Sequence, residues 1–161
     1  MRTIVVGLGN PLLGDDGIGW QVVEYIQQEQ KSFNVLLEVD YICLSVGGLR
    51  LMEHLSGYDR AILIDAVNMG KLPLGSVYCL NLADLPDFSA GHTGSAHDTS
   101  LLTAIRFGKE LGLPLPGEIL VIGIESTQIY NFSEKMSEQV ADAIPRAAII
   151  LLGLLNIEAP T

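Results

Sequence analysis

The sequence predicts an α/β fold, a three-layer sandwich in which an open, mostly parallel twisted sheet carries helices on both faces. Three observations carry that prediction. Short β-branched apolar runs alternate with stretches of helical period in the order β-α-β-α-β-β-α-β-α, a pattern that builds a parallel sheet through right-handed crossovers. The run Ala61-Ile62-Leu63-Ile64-Asp65-Ala66-Val67 is apolar almost throughout, which suits a strand covered on both faces. Finally, 161 residues with no repeat, linker or low-complexity tract suit one domain spanning 1–161.

Each element has its own signature. Residues 3–8 are apolar and β-branched and stop at Gly9-Asn10-Pro11, a strand running into a tight loop. From Gly17 onward, Ile18, Val22, Tyr25 and Ile26 recur at helical spacing, with charged or amide side chains between them. A second strand is expected over 35–43 and a short helix over about 49–55. The third strand is 61–67, and a shorter one over 76–80 is expected nearer an edge. Residues 81–96 are rich in Gly, Ser, Asp and Pro and follow neither period. A loop of that length inside a compact domain is more often functional than idle. A helix over about 99–111 is closed by Gly112, Pro114 and Pro116. Residues 118–124 form another buried strand, and a long helix over about 133–155 is expected to kink or divide at Pro145.

Composition narrows the partners. Nineteen acidic against nine basic residues leave a formal net charge of -10, and a surface of that sign repels phosphate backbones, which argues against nucleic acid. Cys43 and Cys79 lie far apart in predicted strands and read as small buried apolar residues rather than a disulfide or a metal clip. The opening MRTIVVGLGN runs straight into a polar turn and does not read as a secretory signal. The longest apolar run, 147–155, is interrupted by Gly153 and falls short of the ~20 residues that span a bilayer. A soluble, cytoplasmic protein with no membrane partner is expected.

In open α/β sheets, ligands bind outside the carboxyl ends of the strands, near the point where strand order reverses. Three features land on that edge. Asp15-Asp16 follows the first strand, Asp65 ends the apolar run of the third, and Ser95-Ala96-His97-Asp98 begins a helix after the long loop. A carboxylate in an apolar strand must be paired, hydrogen-bonded or metal-bound, so Asp65 either serves a site or caps the adjoining loop. Gly14-Asp15-Asp16-Gly17 also looks like a helix N-cap; one aspartate suffices for that, leaving the other for chemistry. His54 lies among polar helix neighbours and reads as solvated, whereas His92 and His97 lie in or beside the long loop. His97 alone is a weak candidate. With two carboxylates converging on the same crevice, its imidazole completes a plausible site for nickel or zinc.

No HExxH or GxSxG is present, which argues against a zinc-protease helix and a hydrolase serine elbow. Gly7-Leu8-Gly9-Asn10-Pro11-Leu12 starts like a dinucleotide fingerprint, but Leu12 replaces the third glycine and Pro11 stiffens the turn. Gly7-Leu8-Gly9-Asn10-Pro11-Leu12-Leu13-Gly14-Asp15-Asp16-Gly17-Ile18-Gly19 instead closely resembles the N-terminal motif of the nickel-iron hydrogenase maturation endopeptidases. Ile62-Leu63-Ile64-Asp65-Ala66-Val67 is similar to that family's central strand. Ser95-Ala96-His97-Asp98 before Leu101-Leu102 resembles its histidine segment, and Val121-Ile122-Gly123-Ile124-Glu125 with Phe132-Ser133 resembles its C-terminal block. The four motifs follow in the family's order and cover essentially the whole chain.

The resemblance implies an endopeptidase that removes a short C-terminal extension from a hydrogenase large-subunit precursor after nickel insertion. The family's three metal-contacting positions fall on Asp16, Asp65 and His97, with nickel arriving on the precursor rather than as a resident cofactor. Relatives also carry Glu at the first position, one methylene longer than Asp16. Leu44-Ser45-Val46-Gly47-Gly48-Leu49 matches the family's Gly-Gly-Thr type of loop only loosely, which leaves the particular hydrogenase open. Nickel would polarise the scissile carbonyl or activate water; Asp16 or Asp15 is a candidate base. Asn10 and the glycine-loop amides are candidates for orienting the peptide or stabilising the oxyanion, Asn10 being equally a turn residue with an Asx-type bond. Two rivals remain at this level. A non-enzymatic nickel carrier or precursor chaperone usually shows His-rich tracts, and a peptidyl-tRNA hydrolase shares the GLGNP-like turn but needs a nearby histidine and a basic surface.

Overall fold

The computed structural model describes residues 1–29, 39–84, 96–127 and 132–156, with the backbone alone given for 96–100. The strands are β1 (Thr3–Leu8), β2 (Val39–Leu44), β3 (Arg60–Val67), β4 (Val77–Asn81) and β5 (Glu118–Glu125). The helices are α1 (Ile18–Glu29), α2 (Gly48–Leu55), α3 (Ala96–Glu110), α4 (Glu138–Ala141) and α5 (Ile144–Leu154). Short 3-10 turns occupy Gly14–Gly17 and Leu82–Asp84.

One five-stranded sheet has the order β2-β1-β3-β5-β4. β1 pairs in parallel with β2 and β3, β3 pairs in parallel with β5, and β4 closes the far edge antiparallel to β5. Period-two alternation then divides the core. Val5, Ile62, Ile64, Ala66, Ile122 and Ile124 face α1 and α5. Ile4, Val6, Leu8, Leu63 and Val121 face the other way, onto Leu51 and Leu55 of α2 and Leu101, Ala104 and Ile105 of α3. A strand covered on both faces buries all its side chains, and β3 is buried from Ala61 to Val67, Asp65 included. Among the described residues, no helix is long and apolar enough to cross a membrane.

The expected elements are present, with three differences. β2 is seen from Val39 to Leu44; the first part of the predicted 35–43 strand lies outside the described residues. α3 begins at Ala96, earlier than the periodicity alone indicated. The helix over 133–155 divides into α4 and α5, as expected of Pro145, but 133–137 is not helical. Pro145 is the reason for the division. It has no N–H to donate to the carbonyl four residues earlier, and it sits in the first turn of α5, where no such bond is required.

After β1 the chain turns to β2 on one side, and after β3 it continues on the other. The reversal, and the crevice that accompanies it, lie between the carboxyl ends of β1 and β3.

Candidate functional site at the carboxyl edge

The β1 exit is held by backbone contacts that only glycine permits. A Cβ on Gly9, which sits at φ 118, would lie 1.8 Å from the Asp16 carbonyl oxygen. One on Gly19 would lie 2.3 Å from the Ile64 carbonyl oxygen and 2.5 Å from that of Leu8. Bare backbone thus lets the start of α1 press on the ends of β1 and β3, and the Gly14–Gly17 turn packs directly on β3. Ile64 is the residue before Asp65, so the glycine motif brings the Asp16-bearing turn against the strand that carries Asp65.

Within this loop, the Asn10 N–H donates to Asp16 Oδ2 at 2.7 Å, and the Leu12 N–H donates to Asn10 Oδ1 at 3.0 Å. The second bond is the Asx turn that the sequence offered as one reading of Asn10. Asp16 is buried, with 6% exposure. The exit of β2 is tied to the same loop. Ser45 Oγ donates to the Gly9 carbonyl at 2.7 Å, and the Gly9 N–H donates to the Leu44 carbonyl at 3.1 Å.

Asp15 has a different environment from its neighbour. It is fully buried and accepts from the Ser137 N–H at 2.6 Å, from Ser137 Oγ at 2.9 Å and from Ser126 Oγ at 3.2 Å. Three donors meet the hydrogen-bonding demand of a buried carboxylate.

Asp65 is also fully buried. Alternation along β3 puts it on the α2/α3 face with Ala61 and Leu63, opposite Gly123 of β5. α3 covers that face and ends beside the start of β5. The fifteen residues of α3 at ~1.5 Å rise bring its first turn, with His97, back to the carboxyl edge. The side chain of His97 and all of His92 lie outside the described residues. His54 is exposed on α2, as a solvated histidine should be. Among the described residues, no three His, Cys, Asp or Glu side chains cluster as a metal site would require.

One further acid belongs to this edge. Glu125, the last residue of β5, is 2% exposed, and alternation puts it on the face of Asp65. Its Oε1 accepts the Gly70 N–H at 2.8 Å, while its backbone exchanges bonds with Gly75 and Ser76. It therefore anchors the loop that follows β3. The sequence signal was the same as for Asp65, a carboxylate closing a buried apolar run.

The two cysteines are free and partly buried. Burial first, and the Glu24 carboxylate second, push the Cys43 thiol up to about 11; burial also raises Cys79. Both are neutral thiols near neutral pH. Beside the Asp16 turn, a cleft of about 210 Å³ is lined by Pro11, Gly14, Gly17, Gln21, Glu134 and Met136 among others, without Asp65.

Comparison with known proteins agrees with this architecture. A sequence model of a family described as hydrogenase maturation protease matches residues 20–154. The chain is 25% identical over 152 residues to the hydrogenase expression/formation protein HupM of Azotobacter chroococcum, covering 94% of this chain and 70% of that one. The hydrogenase maturating endopeptidase HybD from E. coli shares the fold, with a TM-score of 0.82, 23% identity and coverage of 97% and 93%. The [NiFe] hydrogenase maturation protease HybD of Thermococcus kodakarensis superimposes with a TM-score of 0.69 at 26% identity, covering 96% and 99%.

Proposed function

The chain belongs to the hydrogenase maturation protease family, and from that premise we propose that it cleaves the short C-terminal extension from a nickel-iron hydrogenase large-subunit precursor once nickel is in place. Asp16, Asp65 and His97 are the residues assigned to meet the nickel, which travels with the substrate. The observation that carries this reading is the packing of the Asp16 turn onto β3, the strand that carries Asp65, at the strand-order reversal.

The donor chemistry fits. Two carboxylates and an imidazole suit a borderline divalent cation. Three protein donors make an incomplete set that binds a bare ion weakly. They would complete the coordination of an ion already held by the precursor, and so restrict cleavage to precursors that have received their metal. Nickel held there supplies Lewis acidity at the scissile carbonyl or at water. The chain's own residues orient the peptide. The Asx bond occupies Asn10 Oδ1, which leaves the Nδ2 amide as the group of Asn10 that a substrate carbonyl would meet.

The test is removal of the tail from purified, nickel-loaded precursor, followed by mass. Asp65→Ala and His97→Ala should each abolish the mass loss while circular dichroism stays parental. Processing at the parental rate by either folded variant would refute the assignment. A protein that binds loaded precursor without any mass loss would be a carrier rather than a peptidase.

A further inference from the structure

Asp15 stands next to a residue assigned to the site, yet its carboxylate is turned into the protein. We propose that Asp15 is a positioning residue which, with Ser126 and Ser137, holds the Asp16-bearing turn in register with β3. The proposal rests on the role given above to Asp16.

Ser126 is the joint. Its N–H donates to the Val67 carbonyl at 2.8 Å, two residues beyond Asp65. Its hydroxyl donates to Asp15 Oδ2, one residue before Asp16. A single residue at the β5 exit therefore links the strand carrying Asp65 to the turn carrying Asp16.

Ser137 supplies the second link. It stands at the N-cap of α4 with extended backbone and makes no side-chain cap bond to that helix. A serine there ordinarily accepts a bond from the first-turn N–H groups. Here the hydroxyl donates to Asp15 instead, across 122 residues of sequence, and its own N–H donates to the other carboxylate oxygen. Local capping is forgone for a long-range contact with the turn.

The neighbouring segment adds a third constraint. Ser133 pairs with Leu13 in an isolated parallel bridge, donating to the Leu12 carbonyl and accepting from the Gly14 N–H. The turn is thus gripped on its outer side by 133–137 and on its inner side by β1 and β3. Asp15 and Asp16 are consecutive in one 3-10 turn, so a shift at the first is passed to the second through a rigid backbone.

The experiment uses the full chain and nickel-loaded precursor, with kcat, KM and the pH–rate profile measured for Asp15→Ala, Ser126→Ala and Ser137→Ala beside Asp16→Asn. Misplacing a reacting group by about 1 Å costs on the order of 10²-fold. Asp15→Ala should lower kcat by roughly 10- to 100-fold with KM within about threefold. The two serine variants should fall between it and the parent. If Asp15→Ala does not fold, the serine variants, each removing one donor, carry the test. The acid limb of the profile should keep its midpoint in every positioning variant, because the titrating group is still present. Loss or displacement of that limb in Asp15→Ala would make Asp15 the base and overturn the proposal. Parental kcat in the Asp15 variant, or in both serine variants, would overturn it also. Parental activity of Asp16→Asn would instead sink the site reading and this inference with it, an outcome separable from the others.

Discussion

Substituting alanine at Gly19 adds one methyl group at the tightest joint between α1 and the sheet. That carbon would lie 2.3 Å from the Ile64 carbonyl oxygen, 2.5 Å from the Leu8 carbonyl oxygen and 2.8 Å from the Leu8 nitrogen. All three are backbone atoms in buried central strands, so none can rotate away. Comfortable separation is about 3.5 Å, and the start of α1 must retreat by about 1 Å to reach it. Overpacking of this kind costs ~1–3 kcal/mol, or roughly 2–12 °C in Tm for a chain of this size.

The same retreat carries the Asp16 turn, which runs into α1 without a break. A displacement of about 1 Å at a reacting group is worth on the order of 10²-fold in rate, so Gly19→Ala should lose more activity than its lost stability explains. Precursor cleavage at a temperature where the variant is fully folded separates the two effects. Gly153→Ala is the control. It lies exposed in α5 with no atom within 4 Å of its added carbon, and should leave activity parental while stability holds or rises by up to ~1 kcal/mol. A Gly19→Ala protein with parental Tm and parental rate would refute the view that the glycines exist for close packing.

Two further outcomes are expected. Glu125→Ala removes the acceptor of the Gly70 N–H, so hydrogen exchange at Gly70 should quicken on the order of tenfold or more. Glu125→Gln keeps an oxygen there and should stay within a few-fold of the parent; equal acceleration in both would contradict the anchoring role. With its thiol pushed up to about 11 by burial and the Glu24 carboxylate, folded Cys43 holds its proton through the range where an unfolded thiol loses it. In a Cys79→Ser background, alkylation by iodoacetamide at pH 8 should be roughly 100-fold slower than for an ordinary thiol. It should then climb about tenfold per pH unit to pH 10; a plateau near pH 9 would contradict the shift.

The sheet is legible in the sequence for a physical reason. Parallel strands covered on both faces cannot alternate polar with apolar, so β3 and β5 read as nearly continuous apolar runs in which Asp65 and Glu125 stand out. Pro145 likewise announces its break through the missing N–H. What periodicity cannot show is why 133–137 leaves the helix. Its polar groups are drawn to Leu12, Gly14 and Asp15, more than a hundred residues away, and a local pattern carries no trace of a partner that distant. The antiparallel sense of β4 is hidden for a related reason, because its partner is β5 rather than the preceding β3.

Asp15 and Asp16 make the same point at the scale of one peptide bond. Both are aspartates, both are buried, and either one satisfies the N-cap pattern that surrounds them. Their difference comes wholly from what the fold brings alongside. Ser126 and Ser137 arrive at Asp15 from the last third of the chain, whereas Asp16 meets the Asn10 N–H of its own loop. A carboxylate whose donors come from distant elements ties those elements together, and moving it disturbs all of them. A carboxylate that accepts from an N–H of its own loop moves with that loop. The origin of a buried acid's donors therefore shows which elements it joins. By that criterion Asp15 and Glu125 join the β5 exit, the loop after β3 and the first turn into one edge, and it is on Asp16 that the proposed function places the contact with nickel.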